Sequence, residues 1–381
     1  MDFKDYQAGT YVKNEEYKSF SPAPINHEWT WSDPRINTAL EEANTALGEL
    51  NAFSRIVPNV ELFIRMHIVK EATDSSKIEG TRTEINEALL DRESVDPEKV
   101  DDWEEVQNYI AAMNHAIKAL STLPLSSRLI RDTHKVLMQG VRGDSKAPGE
   151  FRKVQNWIGG KSPKEARFVP PAAIEVPHLI SDLEAFLHND SIHVPHLVRI
   201  AIAHYQFETI HPFLDGNGRT GRLLITLYLI AKEILTYPTL YLSDYLDEKR
   251  QEYFNNLNAA RSNNDLEYWV LFFLGAIVVT AKKGCSVFEN ILSLRQETEA
   301  QVLNLGRRAK RGSELLEHLY SSPSITVQKV TDHLGITVRP AGELVDKFVE
   351  LGILEEMTGH KRNRVFQFSK YLDLFRKTAA E

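Results

Sequence analysis

The sequence is poor in what extracellular and membrane proteins are usually rich in. Its 381 residues include one cysteine, Cys285, so no disulfide can close within the chain and no cysteine zinc cage can form; a reducing, cytoplasmic setting is the expectation. No uncharged apolar run reaches the roughly 18 residues that a membrane span needs. The longest, Tyr268 to Ala281, has fourteen residues between Glu267 and Lys282 and reads as a buried core helix. The opening stretch MDFKDYQAGTYVKNEEYKSF has no apolar segment, so neither a signal peptide nor a membrane anchor is expected there.

An excess of positive charge is missing too, with 45 Lys+Arg against 53 Asp+Glu, net −8. That argues against a polycation built to coat nucleic acid or an anionic membrane. The deficit is uneven: residues 307–381 carry 13 Lys+Arg and 10 Asp+Glu, net +3, and residues 1–306 carry 32 and 43, net −11. Repeats and homopolymeric tracts are absent. What is present is 42% hydrophobic and 9% aromatic residues, enough for a sizeable core, in a length that suggests two or three compact units.

Residues 1–33 show no apolar period and read as an irregular arm. Asp33 or Ser32 as cap and Pro34 at the first position open a helix with Ile36, Leu40, Ala43, Leu47 and Leu50 on one face. A second helix begins near Pro58; Leu62, Phe63, Met66, Val69 and Ala72 recur at helical spacing, and Gly80 ends it. Asp91 to Asp102 is a connection. Helices are predicted over 103–120, 126–139, 177–188, 195–209, 217–234, 244–261 and 266–284. Between them, 149–171 alternates β-type pieces around Gly159-Gly160-Lys161-Ser162-Pro163, which suggests a hairpin flap. After a basic string at 307–311 come helices at 314–320, 327–334 and 340–351 and β-type segments at 353–357 and 364–368, the order of a winged helix. The expected fold is mainly α: a helical core with a small flap, plus a C-terminal winged-helix domain.

The chemistry concentrates in His211-Pro212-Phe213-Leu214-Asp215-Gly216-Asn217-Gly218-Arg219-Thr220-Gly221-Arg222, between two helices. Gly216 and Gly218 allow backbone N–H groups to form an anion nest, and the helix that follows adds its positive end. Asp215 can hold Mg²⁺ together with phosphate oxygens. Arg219 and Arg222, three apart on the first helical turn, can grip phosphate. His211 can take a proton from a hydroxyl near neutral pH. Base, metal ligand and clamp together imply phosphoryl or nucleotidyl transfer.

This string resembles the HxFx(D/E)GNGRxxR signature of the Fic family and matches every fixed position. The resemblance implies transfer of AMP from ATP to a hydroxyl of a target protein, or of the chain itself, with release of pyrophosphate. It implies His211 as general base, Phe213 as anchor of the loop, Asp215 as Mg²⁺ ligand, Gly216, Asn217 and Gly218 as phosphate cradle, and Arg219 and Arg222 as clamp, with Thr220 and Gly221 in the same binding stretch. A lysine at the Gly218 position accompanies target phosphorylation in the family, so Gly218 and Arg222 favour adenylylation; transfer of another nucleotide or of phosphocholine stays open. Ser75-x-x-x-Glu79-Gly80 matches the family's inhibitory motif. Glu79 paired with Arg222 would occupy the clamp and repel a triphosphate, and removal of AMP, with Glu79 positioning a water, stays open as a further activity.

The same likeness makes the 157–171 flap, with Arg167, Phe168 and Val169, a target-docking hairpin. It also puts Tyr253, Phe254 and Leu257 at the wall of the adenine and implies a homodimer. Residues 34–99 resemble the family's N-terminal helices, 100–306 its catalytic core with the helices that follow, and 307–381 the winged-helix appendage of some members. Two other readings fail on spacing: Gly160-Lys161-Ser162 lacks the glycine of a P-loop, since Gln155 stands there, and His193, His196, His204 and His211 form no metal motif. A rival function is a DNA-binding regulator acting through 307–381, with Lys361, Arg362, Arg364 and Arg339 as contacts, opposed by Glu343, Asp346 and Glu350 on the third helix.

Overall fold

The computed structural model describes residues 1–57, 59–140, 146–358 and 364–376. Pro58, the expected start of the second helix, and Lys361 and Arg362, the expected wing-tip cations, lie outside the described residues.

The N-terminal segment departs from the expected irregular arm. Strands β1 (Gly9–Lys13) and β2 (Lys18–Pro22) pair antiparallel with Tyr11 opposite Phe20. Phe3, Tyr6, Phe20, Ile25 and Trp29 are buried; Phe3 stacks at 5.6 Å from Trp31 and tilts against Trp29. Their anchoring partners sit far along the chain: the Ala8 N–H donates to Asn264 Oδ1 at 2.8 Å, and the Ile25 N–H to Asp182 at 2.7 Å. A sequence period cannot register such contacts.

Helix α1 (Pro34–Ile56) starts at Asp33, whose carboxylate accepts the Arg35 N–H, and α2 (Glu61–Glu79) ends on Gly80 at φ 108°. After short 3-10 turns come α3 (Val100–Leu120), α4 (Ser127–Leu137), α5 (Val176–His188), α6 (His196–Ile210) and α7 (Asn217–Ala231). The single helix expected over 244–261 is two, α8 (Leu242–Glu248) and α9 (Arg250–Ser262), broken at Lys249. Helix α10 runs from Leu266 to Leu303, well past the expected Gly284. By length and composition it is the one helix among the described residues able to cross a membrane, yet 61% of its most apolar window is buried in the fold.

Helix α2 is central. Lys70 bonds Asp74 and Asp244 at 2.6 Å each, all three side chains about 5% exposed or less, and Lys283 of α10 also reaches Asp244. Glu71 accepts from Ser243 and from Tyr109. Buried charges persist only when paired this completely, so the polar face of α2 fixes its register on α8, α3 and α10.

The C-terminal module consists of α11 (Ala309–Ser321), β3 (Ser324–Thr326), α12 (Val327–Leu334), α13 (Val338–Glu350), β4 (Glu355–Glu356), β5 (Val365–Gln367) and α14 (Ser369–Asp373). Its sheet has the order β3-β5-β4, all antiparallel. The element order is that of a winged helix, with a strand, β3, that the sequence reading did not anticipate. The module takes α2 into its core: Phe63 packs edge-on against Tyr320 at 5.3 Å and Tyr371 at 6.4 Å, and His67 against Phe375 at 5.3 Å.

Candidate functional site: an anion-binding loop with a carboxylate plug

Helix α6 ends at His211, a non-glycine residue in the left-handed region (φ 49°, ψ 60°) whose N–H still bonds Phe207 O at 2.9 Å. Such a conformation persists when its surroundings over-determine it, and here they do. The His211 carbonyl accepts from Arg152 Nε at 3.0 Å and Asn156 Nδ2 at 3.2 Å. Phe213 is fully buried, stacked on His134 at 3.7 Å and 4°. Asn217 closes the loop, its Oδ1 accepting the Phe213 N–H at 2.8 Å and its Nδ2 donating to Phe213 O at 2.9 Å. Gly216 then turns at φ 72° and α7 begins.

Several residues of the expected phosphate cradle have side-chain partners within the loop and its helix. The Asn217 side chain is spent on the loop, leaving only its backbone for a ligand. The Thr220 hydroxyl donates to Gly216 O at 2.8 Å. Gly221 faces α6, where a Cβ would come within 2.4 Å of Glu208 Oε1. Thr220 and Gly221 therefore build the helix and its packing. Gly218 is the residue at the open head of α7: a Cβ there would lie 2.2 Å from Glu79 Oε1 and 2.9 Å from Arg222 Nη1.

The two arginines do not converge as one clamp. Arg222 donates to Ser75 Oγ at 2.8 Å, Ser75 O at 2.9 Å and Glu79 Oε1 at 2.6 Å. Arg219 turns the other way, to Glu105 of α3 at 2.9 Å. Ser75 and Glu79, one helical turn apart on α2, thus meet Arg222 together, and Gly80 stops the helix immediately beyond. Glu105 was not singled out in the sequence; it lies 114 residues from Arg219, with no spacing signal to reveal it.

Burial sets the protonation states. It pushes His211 down to about 4, against the pull of Glu79 and with help from Arg152 and Arg261, so the imidazole is neutral at pH 7 and able to accept a proton. Burial raises Glu79, but Arg222 more than offsets this and holds the carboxylate below its ordinary value. Glu208 is pushed up to about 7 by burial, with Arg222 opposing; three residues before His211, it is a titratable group the sequence reading missed. Buried polar atoms without a partner gather here: His211 Nδ1, Glu208 Oε1, Arg219 Nε, Arg261 Nη1 and Asn156 Oδ1.

Asp215 Oδ1 accepts the Gly216 N–H at 2.7 Å. Among the described residues no three His, Cys, Asp or Glu side chains cluster as a metal cage, and His204 spends both ring nitrogens on Gly221 O and Tyr253 OH. One lone carboxylate beside an anion nest fits Mg²⁺, which is commonly held by one or two carboxylates plus phosphate oxygens.

The outlying expectations fare unevenly. Tyr253 and Leu257 are buried in the core, whereas Phe254 is 38% exposed, so of the three only Phe254 offers a ring to a ligand without rearrangement. The flap is a single bridge, Ile158 to Phe168, with no paired strands. Arg167 is exposed, but Phe168 and Val169 are buried: Phe168 lies under the Arg261 guanidinium at 4.1 Å, and Val169 O accepts the Phe20 N–H at 2.9 Å. That part of the flap edge is taken by β2. On α13, Asp346 and Glu350 are exposed and Glu343 is half-buried. Arg339 pairs with Glu343, and Arg364 with Asp346 and Glu356, so the outer face is mixed in charge.

The site thus presents a helix head and a buried guanidinium to an anion, beside a neutral imidazole, on a helical core. Profiles described as Fic/DOC family N-terminal and Fic/DOC family match residues 37–118 and 124–229, and the chain belongs to this family. The protein adenylyltransferase Fic of Drosophila grimshawi is 30% identical over 248 residues, 63% of this chain and 47% of its own length. The protein of the same name from Culex quinquefasciatus is 27% identical over 265 residues, 67% and 49%. The chain spans about half the length of the curated relatives it matches. A Fic family protein from Desulfovibrio desulfuricans has the same fold at a TM-score of 0.56 and 22% identity, over 88% of this chain and 96% of that one. Fic-1 from C. elegans aligns at 0.53 and 23%, over 66% and 74%.

Proposed function

We propose that this chain is a protein adenylyltransferase that moves AMP from ATP to a Ser, Thr or Tyr hydroxyl of a target protein and is held in check by Glu79. The observation that carries the reading is the Glu79 carboxylate on Arg222, above Gly218 at the head of α7. An anion already sits where a helix N-terminus and a buried guanidinium would bind phosphate.

With Glu79 withdrawn, the Gly216–Gly218 backbone and Arg222 hold the phosphates. Neutral His211 takes the proton of the acceptor hydroxyl as its oxygen bonds the α-phosphorus. The bond from the α-phosphorus to the oxygen bridging to the β-phosphate breaks, and pyrophosphate leaves. Arg219, swung from Glu105, and the helix head stabilise the charge that develops. Asp215 would hold Mg²⁺, which supplies charge neutralisation at the phosphates. Homologous proteins named adenylyltransferases support this reaction class.

ATP labelled at the α-phosphate tests the proposal. Glu79→Gly should incorporate more label than wild type, into itself or an added target, and Glu79→Gly/His211→Ala should incorporate none. Label arriving only from the γ-phosphate would mean a phosphotransferase and overturn it. The paired charges of α13 give no support to a DNA-binding reading.

A further inference from the structure

Among the described residues strand β1 has one partner, β2, and its other side is open. Which of its peptide groups face out follows from the pairing. Ala8–Ala23 and Asn14–Tyr17 are hydrogen-bonded pairs, and antiparallel pairs alternate between bonded and non-bonded. Thr10–Ser21 and Val12–Ser19 are therefore bonded, and Gly9, Tyr11 and Lys13 turn their N–H and C=O groups outward. The Phe20 N–H, opposite Tyr11, points the other way, to Val169 O. Thr10, Tyr11, Val12 and Lys13 are all exposed, which is the condition that natural edge strands usually avoid.

This open edge is wired to the catalytic loop. The Arg152 N–H bonds Pro212 O at 2.9 Å and Asn156 bonds Phe213 O at 2.8 Å. The chain then runs through the Ile158–Phe168 bridge to Val169, Phe20 and β1, while Glu16 in the β1–β2 turn pairs with Lys164 at 2.8 Å. The ribbon also inverts the charge of the body. Residues 9–22 and 153–168 carry Lys13, Lys18, Lys153, Lys161, Lys164 and Arg167 against Glu15, Glu16 and Glu165, all of them exposed, on a body of net −11.

We propose that the outward edge of β1 is a docking strand for an extended, acidic segment of the protein that accepts the nucleotide. Main-chain pairing to Gly9, Tyr11 and Lys13 supplies affinity, and Lys13 on the strand itself, with the field of the basic ribbon behind it, selects acidic side chains. The choice of occupant rests on the transfer reaction proposed above, but the docking itself can be measured without nucleotide.

A dye-labelled random copolymer of glutamate and tyrosine, with a lysine–tyrosine copolymer as control, is titrated against the full chain by fluorescence anisotropy. The glutamate copolymer should bind, more weakly as salt rises, and the lysine copolymer should not. Lys13→Pro removes an outward N–H while sparing the β1–β2 bonds, and should weaken binding about tenfold, against about twofold for Lys13→Gln. Lys161→Glu/Arg167→Glu, which leaves the strand untouched, should weaken it about tenfold. Equal binding of both copolymers, or identical affinities for Lys13→Pro and Lys13→Gln, overturns the inference. So does a fall in oligomeric state for Lys13→Pro with unchanged copolymer affinity, which would assign the edge to a second copy of this chain. A chain that binds the glutamate copolymer but never incorporates α-label would instead overturn the transferase reading and leave the docking strand standing.

Discussion

Arg222 meets Glu79 at 2.6 Å with the arginine side chain 2% exposed, whereas Arg339 meets Glu343 at 3.3 Å with the arginine 91% exposed. The chemistry is the same and the surroundings are opposite. Arg339 has water as an alternative partner, so its pair contributes about 0 to 1 kcal/mol. Arg222 has no such alternative: without Glu79 it keeps Ser75, the nearby Tyr253 hydroxyl and Glu208, whose carboxyl burial pushes up to about 7. The difference teaches why the proposed check falls on the first pair: a buried guanidinium robbed of its carboxylate is a strong demand for another anion.

The largest expected effect breaks the comparison at its chemical end. In a Glu79→Gly background, His211→Ala should lower α-label incorporation by about 10² to 10⁴-fold, with ATP affinity changed by less than about threefold; a loss of ATP binding instead would make His211 a ligand residue. Next, Glu79→Gly alone should raise incorporation at least about tenfold and lower stability without nucleotide by about 2 kcal/mol, less than for a fully buried pair because Glu79 is itself 38% exposed. Mg·ATP should restore the melting temperature of this variant more than that of wild type.

Acid sharpens the contrast between interior and surface. Burial pushes His67 and His204 down to about 3 and His134 and His211 to about 4. Between pH 6.5 and 4 the unfolded chain therefore binds protons at these rings that the folded chain does not, and stability falls as pH falls. Glu71 and Glu208, pushed up to about 7 by burial, and Asp74 and Glu267, also raised by it, act in the opposite sense, but His196 and His318 are lowered too and the six rings outnumber them. Urea midpoints should drop from pH 6.5 to pH 4.5, and His67→Gln should flatten the slope by about 1.4 kcal/mol per pH unit.

A smaller effect concerns Gly218. Gly218→Ala should destabilise wild type by about 1 to 2 kcal/mol, through collision with Glu79, and much less in the Glu79→Gly background; equal costs in both would mean the carboxylate is not held there in solution. Smallest of all, Glu343→Gln should move stability by less than about 0.5 kcal/mol, and a larger shift would show that surface pairing on α13 is worth more than its exposure implies.

The parts legible in the sequence were those whose partners lie close along the chain or fall on one helical face. The 211–222 loop, the α2 stop at Gly80 and the Ser75–Glu79 spacing are of this kind. Arg219–Glu105, Phe20–Val169 and Ala8–Asn264 are not, because each joins segments more than a hundred residues apart through groups that no local pattern marks. Helix α10 overruns the expected end at Gly284 because Val287, Phe288, Ile291 and Leu294 extend the buried stripe beyond it. Asn217 shows a different gap: its position in the motif was plain, but only the structure reveals that its amide is engaged within the loop.

Helix α2 has its first turns inside the aromatic core of the C-terminal module, at Phe63 and His67, and its last residue on Arg222. Nineteen residues of α-helix form a stiff rod about 28 Å long, and the salt-linked middle at Lys70 acts as its fulcrum. Such a rod cannot tilt at one end alone. On the reading proposed above, the stability of the distant module is part of the work that withdrawing Glu79 requires, and a substitution that loosens Tyr320 or Tyr371 should report at Glu79 without touching it.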